Sequence, residues 1–146
     1  MDLMIDKCIN DIVIIDGLTR SGKFYLGKII SGIQGLEYFI NSSETERILA
    51  ISKAGLLSKN NASSLLVLAI NESIYNLAIG RNLNSRYDDG SSITNSFERK
   101  LYTERERKDV VGPAAINELK KNKRASVFVL HQSLQMIDIV KQALPK

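Results

Sequence analysis

The stretch IVIIDGLTRSGKF, residues Ile12 to Phe24, places a short apolar run directly before a loop that contains two glycines and a lysine. The run from Ile12 to Ile15 is continuous and β-branched, which is typical of a strand buried on both faces of a parallel sheet. Residues 17–22 are predicted to form a loop. From Lys23 onward the apolar residues recur with helical spacing. The stretch therefore predicts a strand–loop–helix unit of an α/β fold.

The loop matches most of a phosphate-binding pattern. Gly17, four further residues, Gly22 and Lys23 fill the first seven positions of the Walker A motif. Glycines let backbone N–H groups approach an anion, the start of the following helix is positive, and Lys23 and Arg20 add two full charges. The alternative is a glycine-containing turn with two solvated cations. The candidate phosphate-binding residues are Gly17, Leu18, Thr19, Arg20, Ser21, Gly22, Lys23 and Phe24.

Two residues of the stretch limit what the loop can bind. Phe24 stands where the motif has Ser or Thr, whose hydroxyl ligates Mg²⁺ in nucleoside-triphosphate enzymes. Phenylalanine cannot ligate a metal, so a donor that needs no metal fits the loop better. Asp16 would repel a phosphate unless it pairs with Lys23 or Arg20, or binds a cation. We therefore expect a phosphate site without an obvious Mg²⁺ ligand.

A second strand and five further helices are predicted after this unit. Ala125 to Leu130 is an apolar, largely β-branched run that His131 ends. Ser43 and Glu46 have the spacing of a capping box, with Ser43 as the cap and Glu46 reaching back. The polar stretch from Arg81 to Ser96 is predicted to be a long loop. Helices are predicted over residues 23–35, 43–57, 60–79 (with Asn60 or Asn61 as its cap), 97–108, 113–122 and 133–144.

Composition and charge favour a soluble, cytoplasmic protein. No apolar run is long enough to span a bilayer, and the N-terminus carries acidic residues and lacks the features of a secretory signal. The single cysteine, Cys8, excludes an internal disulfide framework and a multi-cysteine zinc site. The net charge of +4 lies within residues 95–124, which hold nine Lys and Arg against five Asp and Glu. That excess suits an anionic ligand but is too small and mixed to indicate nucleic acid.

The loop resembles that of the sulfotransferases, a family of the P-loop superfamily. Their loops often read Arg or Lys, then Ser-Gly-Thr-Thr, and the chain has Arg20-Ser21-Gly22-Lys23-Phe24. The Arg-Ser-Gly core matches, whereas the two hydroxyl residues that follow it in the family are replaced by Lys23 and Phe24. The resemblance implies that the loop holds the 5′-phosphate of 3′-phosphoadenosine 5′-phosphosulfate and that no metal takes part.

A second match lies near the end of the chain. Many cytosolic sulfotransferases have a strand that ends in Lys-Thr-His, then a helix, then Leu-Pro-Lys. Here the second strand ends in Val129-Leu130-His131, and the last helix is followed by Leu144-Pro145-Lys146. The resemblance implies that His131 is the general base that takes a proton from the acceptor hydroxyl. Val129 and Leu130 replace Lys-Thr, so a lysine that contacts the donor in the family is missing.

The resemblance covers about residues 10–35 and 124–146. It also bears on whether the domain is complete. It implies a single P-loop α/β domain over residues 1–146, and the helical spacing of the apolar residues predicts a mostly helical chain between the two strands. Two strands are fewer than the five or six of an average sheet. We therefore expect either an incomplete domain, truncated at its C-terminus, or a minimal fold with exposed sheet edges. In the family the next strand carries an Arg and then a Ser for the 3′-phosphate, so the chain alone is expected to be inactive.

Several residues leave alternatives open. His131 is suited to act as a base at neutral pH at the carboxyl end of a strand, but it fits equally a residue that caps the last helix or packs at the sheet edge. Arg81–Ser96 is either a solvated loop or a binding loop in which Asp88 and Asp89 contact a sugar hydroxyl or a metal. With one histidine in the chain, no His–His metal site is possible, and we assign no metal ligand. The candidate substrate residues are Arg81, Arg86, Ser91 and Ser92.

Three functions remain open on the sequence. The first is a sulfotransferase-like enzyme in which Lys23 and His131 act on 3′-phosphoadenosine 5′-phosphosulfate and a hydroxyl-bearing small molecule or saccharide. The second is an ATP-dependent kinase or NTPase that uses Mg²⁺ and a degenerate Walker A motif. The third is a non-catalytic α/β binding module whose loop binds no nucleotide.

Overall fold

The protein is a mostly helical α/β structure with a parallel sheet. The computed structural model describes residues 10–108, 111–131 and 133–144. Within them lie two strands and six α-helices, with short 3-10 turns at Ile93–Asn95 and Ser133–Met136. The elements are β1 (Ile12–Gly17), α1 (Lys23–Ile30), α2 (Ser43–Lys53), α3 (Lys59–Ala78), α4 (Arg99–Arg107), α5 (Pro113–Asn122), β2 (Ser126–His131) and α6 (Ile137–Ala143).

The two strands pair in parallel and in a register that positions the site. Ile12 lies opposite Ser126 and Gly17 lies opposite His131. On the other side of β2, residues 36–40 form isolated parallel bridges with it, and we call them the bridge segment. The N–H of Ile40 donates to the carbonyl of Val127 at 2.8 Å. The sheet therefore runs β1, β2, bridge segment, with β2 in the centre and buried along five of its six residues.

The core lies on both faces of β2. On one face Phe128 and Leu130 pack among α2, α3 and α6, in a cluster that includes Leu66, Ile70 and Ile139. On the other face the alternate residues of β2 pack against the aromatic side chains of the bridge segment and α4; this cluster contains Val127, Val129, Tyr38, Phe39 and Tyr102. Strand residues alternate between the faces, so the continuous apolar run of β2 supplies both clusters.

A buried carboxylate joins the bridge segment to α4 and to the start of β2. Glu37 is 1% exposed. Arg105 donates two hydrogen bonds of 2.8 Å to its carboxylate, and Tyr102 donates a third of 2.8 Å. Nε of Arg124 lies 3.2 Å from the same carboxylate, and Arg124 also pairs with Glu98. We call Glu37, Arg105, Arg124 and Tyr102 the Glu37 network.

The predicted strands and the order of the helices are confirmed, and several boundaries are corrected. Helix α1 ends at Ile30 rather than near residue 35, and the last helix begins with a 3-10 turn. Ser58 caps α3 through the N–H of Asn61, so neither Asn60 nor Asn61 is its cap. The residues carrying the predictions for Cys8 and for Pro145-Lys146 lie outside the described residues.

The predicted capping box is also wrong. Ser42, not Ser43, caps α2, and its hydroxyl accepts a hydrogen bond from the N–H of Thr45 at 3.3 Å. Two adjacent serines offer the same hydroxyl, so the pattern placed the cap one residue late. Glu46 is therefore free of the cap. No helix in the described residues is both long enough and apolar enough to span a membrane.

Candidate functional site

The loop after β1 ends in an uncapped helix start. Gly22 is the N-cap residue of α1, with a φ of 81°, and no described side chain caps the helix. A left-handed conformation favours glycine at this point because a Cβ would be strained there. The first helical hydrogen bond runs from the N–H of Leu26 to the carbonyl of Gly22. The N–H groups of the first turn are therefore available to an anion.

Lys23 lies at this helix start, and its charge has no carboxylate partner among the residues that the structure describes. The residue is 4% exposed, and its Nζ donates to the carbonyl of Leu18 at 2.9 Å. Within the described residues no carboxylate lies within 4.0 Å of this ammonium group, whereas Arg105 and Arg124 both have one. Nζ also lies 5.8 Å from the ring centroid of Phe24. A buried cation without a counter-charge is costly, so the loop favours an anionic ligand.

Backbone N–H groups hold the carboxylate of Asp16, so it does not act as the counter-charge of Lys23. One carboxylate oxygen accepts from the N–H of Gly17 at 2.8 Å, and the other accepts from the N–H of Leu134 at 2.7 Å. Neither Lys23 nor Arg20 is in ion-pair contact with it in the described part of the chain, so of the alternatives that the sequence left open for Asp16, pairing with a loop cation is not the one found. Asp16 instead ties the end of β1 to the segment that follows β2.

The remaining loop residues surround the same space. A Cβ at Gly17 would lie 2.7 Å from the hydroxyl of Ser21, so the Ser21 side chain packs directly over this strand end. Arg20 is exposed and has a φ of 65°. Leu18 and Thr19 are exposed as well. The structure thus brings all eight candidate residues of the loop together around the start of α1.

At the position where the Walker A motif has a metal-binding hydroxyl, Phe24 makes apolar ring contacts instead. Its ring packs edge-on against Phe39 with centroids 5.6 Å apart, and it lies 6.0 Å from the ring of His131. The residue thus links the loop, the bridge segment and the end of β2. In the described residues no group of three or more His, Cys, Asp or Glu side chains is arranged to hold a metal ion.

His131 lies beside the loop and is oriented by a residue that the sequence analysis missed. Gly17 is its direct partner across the strands, and parallel neighbours are about 4.8 Å apart. Its Nδ1 lies 2.5 Å from Oε1 of Glu46, and its backbone N–H donates to the same oxygen at 3.0 Å. These contacts favour the tautomer with the proton on Nδ1, which leaves Nε2 as the acceptor. The capping box had assigned Glu46 elsewhere.

The four candidate substrate residues are divided by the structure. Arg81 and Ser91 line a cavity, whereas Arg86 and Ser92 do not. Ser92 is fully buried, and its hydroxyl caps the 3-10 turn at Ile93–Asn95. Arg86 is exposed, and its carbonyl accepts from the N–H of Asp89. The loop is thus internally bonded rather than simply solvated.

The cavity has a volume of about 540 Å³ and lies at the carboxyl end of the bridge segment. Residues 38–44, the end of α3 and residues 81–93 enclose it. Phe39 lines the cavity and packs on Phe24, so the cavity and the loop share a wall. The carboxyl ends of parallel strands meet at one edge of a sheet, and ligands of open α/β sheets bind there. Loop, His131 and cavity follow one another along this edge.

Comparison of the chain with protein-family models, with curated proteins and with solved structures finds no match.

Proposed function

We propose that the protein binds a nucleotide through the loop after β1 and contributes to the transfer of the nucleotide's sulfuryl group to a hydroxyl. The observation that carries this proposal is the buried ammonium group of Lys23, which has no carboxylate partner in the described residues and lies at an uncapped helix start. A bound phosphate supplies the missing negative charge. The donor that we propose is 3′-phosphoadenosine 5′-phosphosulfate, and the acceptor is a small molecule or saccharide in the cytoplasm.

The loop residues present fit the 5′-phosphate of this donor. The free N–H groups of the first turn of α1 offer hydrogen bonds, and Lys23 and Arg20 offer charge. Ser21 adds a hydroxyl beside Gly17. Phe24 contributes no metal ligand, which agrees with a donor whose transfer needs no Mg²⁺. In this proposal the backbone N–H groups at the positive end of α1, together with Lys23 and Arg20, bind the phosphate without a metal ion.

The chemistry assigned to this chain is proton removal and positioning. The donor supplies a sulfuryl group whose bond to the 5′-phosphate oxygen breaks as a new sulfur–oxygen bond forms to the acceptor. His131 takes the proton of the acceptor hydroxyl on Nε2, because Nδ1 is engaged by Glu46. Glu46 orients the imidazole ring and stabilises it once it is charged. Lys23 stabilises the negative charge that remains on the nucleotide.

A panel of nucleotides tests the assignment in the chain as it stands. The measurement is the shift in unfolding temperature with adenosine 3′,5′-bisphosphate, with ATP alone and with ATP plus Mg²⁺. We expect the bisphosphate to raise the unfolding temperature and Mg²⁺ to add nothing to the effect of ATP. A shift that requires both ATP and Mg²⁺ would indicate a kinase or NTPase instead. The absence of a shift with every nucleotide would indicate a binding module without a nucleotide site.

The role of Glu46 is tested by the tautomer of His131. We expect nitrogen-15 NMR of the wild-type ring to show the neutral proton mainly on Nδ1. In Glu46→Ala the ring loses this acceptor, and the proton moves predominantly to Nε2, as in free imidazole side chains. Glu44→Ala, on the same helix turn but paired with Arg47, is the matched control and leaves the tautomer unchanged. A Nε2–H ring in the wild-type protein contradicts the role of His131 as base.

A further inference from the structure

We infer that the cavity beside the bridge segment binds a neutral, polyhydroxylated ligand, that is, a saccharide. The volume of about 540 Å³ lies within the range of small-molecule sites, about 300–1,000 Å³. The place of this ligand as the acceptor rests on the proposed function; its binding in the cavity does not.

The side chains of the cavity wall indicate the class of ligand. Amides and hydroxyls predominate, and each can both donate and accept a hydrogen bond, as the hydroxyls of a sugar require. They come from three parts of the fold: the end of the bridge segment, the end of α3 and the loop that follows. The polar residues used in this argument are Asn41, Ser73, Asn76, Asn84, Asp89 and Ser91.

The charge of the cavity distinguishes it from the phosphate loop. Asp89 and Glu44 line it against the single guanidinium of Arg81, so its ionised side chains sum to a net negative charge. The backbone N–H of Ser91, and then the side chains of Asn84 and Ser91, lower the pKa of Asp89 and keep it ionised. An anionic ligand would meet repulsion here, whereas a carboxylate is a good acceptor for sugar hydroxyls. The loop after β1 instead carries the positive charges of Arg20 and Lys23.

The wall is preorganised on one side and open on the other. Asp89 accepts two hydrogen bonds of 2.9 Å from the N–H and the hydroxyl of Ser91, and Asn84 donates to that hydroxyl at 2.8 Å. The side-chain amides of Asn41 and Asn76 are not used by hydrogen bonds within the described residues. They are therefore the groups to which a ligand can hydrogen-bond without breaking a hydrogen bond within the described part of the protein.

The test is titration of the chain with neutral sugars, followed by NMR of the backbone amides. The probes are glucose, galactose, N-acetylglucosamine and maltose, with glucose 6-phosphate as the anionic counterpart of glucose. We expect at least one neutral sugar to shift the amides of residues 38–44 and 81–93, and glucose 6-phosphate to bind there more weakly than glucose. No shift with any neutral sugar, or tighter binding of glucose 6-phosphate in the cavity, overturns the inference.

Variants assign the binding to this wall. Asn41→Ala and Asn76→Ala each weaken the binding of the neutral sugar about fivefold, the effect of one lost hydrogen bond. Asn117→Ala, an exposed asparagine on α5, is the matched control and leaves binding unchanged. Equal affinity in all three variants would contradict the assignment. Lys23→Ala separates the two proposals, since it is expected to remove nucleotide binding and to leave sugar binding intact.

Discussion

Two regions within the described part of the chain bury positive charge and differ in how that charge is compensated. In the Glu37 network, one carboxylate accepts two hydrogen bonds from Arg105 and lies beside Arg124. In the loop after β1, Lys23 is similarly buried, but its Nζ donates to a backbone carbonyl and to no carboxylate of the described residues. A compensated buried charge holds elements together, whereas an uncompensated one costs stability and is kept where a ligand completes it. We therefore interpret the Glu37 network as structural and the charge of Lys23 as one that a ligand would complete.

The largest expected effect is the loss of Glu37. Glu37→Ala leaves the buried guanidinium of Arg105 without a carboxylate, whereas the partly buried Arg124 keeps Glu98. We expect the free energy of unfolding to fall by about 3–5 kcal/mol. Urea denaturation measures it. Glu44→Ala is the control, because it removes an exposed carboxylate whose pair with Arg47 is worth about 0.5 kcal/mol or less. Similar losses in the two variants would contradict the structural role of the network.

Tyr102 on α4 and Tyr38 in the bridge segment provide a second test of the Glu37 network. The hydroxyl of Tyr102 donates to Glu37 and accepts from the N–H of Tyr38, so Tyr102→Phe is expected to cost about 1–3 kcal/mol. The hydroxyl of Tyr38 is buried without a hydrogen-bond partner in the described residues. Tyr38→Phe is therefore expected to be neutral or stabilising in the same urea experiment. A larger loss for Tyr38→Phe than for Tyr102→Phe would contradict this reading.

Lys23 is expected to behave in the opposite way to Glu37. Lys23→Met keeps the aliphatic stem and removes the unpaired charge, so we expect the ligand-free protein to gain about 1 kcal/mol of stability. Thermal or urea unfolding without nucleotide measures this gain. A loss of several kcal/mol would show that the lysine is part of the fold rather than a group awaiting a ligand.

The buried tyrosines lower the stability of the fold at alkaline pH. Burial, and then the charge of Asp89, raise the pKa of Tyr38 to about 12; burial, and then the charge of Glu37, raise the pKa of Tyr102. In the unfolded chain tyrosine ionises near pH 10. Stability is therefore full below pH 10 and falls as the pH rises from about 10 through 12. Tyr102→Phe reduces this slope, and an unchanged slope in that variant would refute the assignment.

Local features of the fold could be predicted from the sequence, and long-range pairings could not. The strand at Ile12–Gly17 and the loop after it are set by neighbouring residues, so their pattern was sufficient. The bridge segment has only five residues and includes the charged Glu37, so it shows no strand pattern. Its place depends on β2 and on Arg105, which lie far along the chain.

For the candidate site too, local patterns could be predicted from the sequence and long-range pairings could not. The loop residues could be named because the Walker A spacing is local, and His131 because it ends an apolar strand. Glu46 lies 85 residues from His131, and no spacing links them. The cavity could not be predicted either, since three separate parts of the chain enclose it. The length of residues 81–96 allowed a binding loop as one of two alternatives, and its turn-forming composition fitted a solvated loop equally well.

The central claim is that the buried charge of Lys23 binds a nucleotide phosphate. The most direct measurement is calorimetric titration of adenosine 3′,5′-bisphosphate into the wild-type chain, Lys23→Ala and Lys28→Ala. Lys28 lies in the last turn of the same helix, so its variant matches the charge change at the other end of α1. We predict binding to the wild-type protein and to Lys28→Ala, and an affinity at least about tenfold weaker in Lys23→Ala. Equal affinity in the three proteins, or no binding to any of them, would contradict the claim.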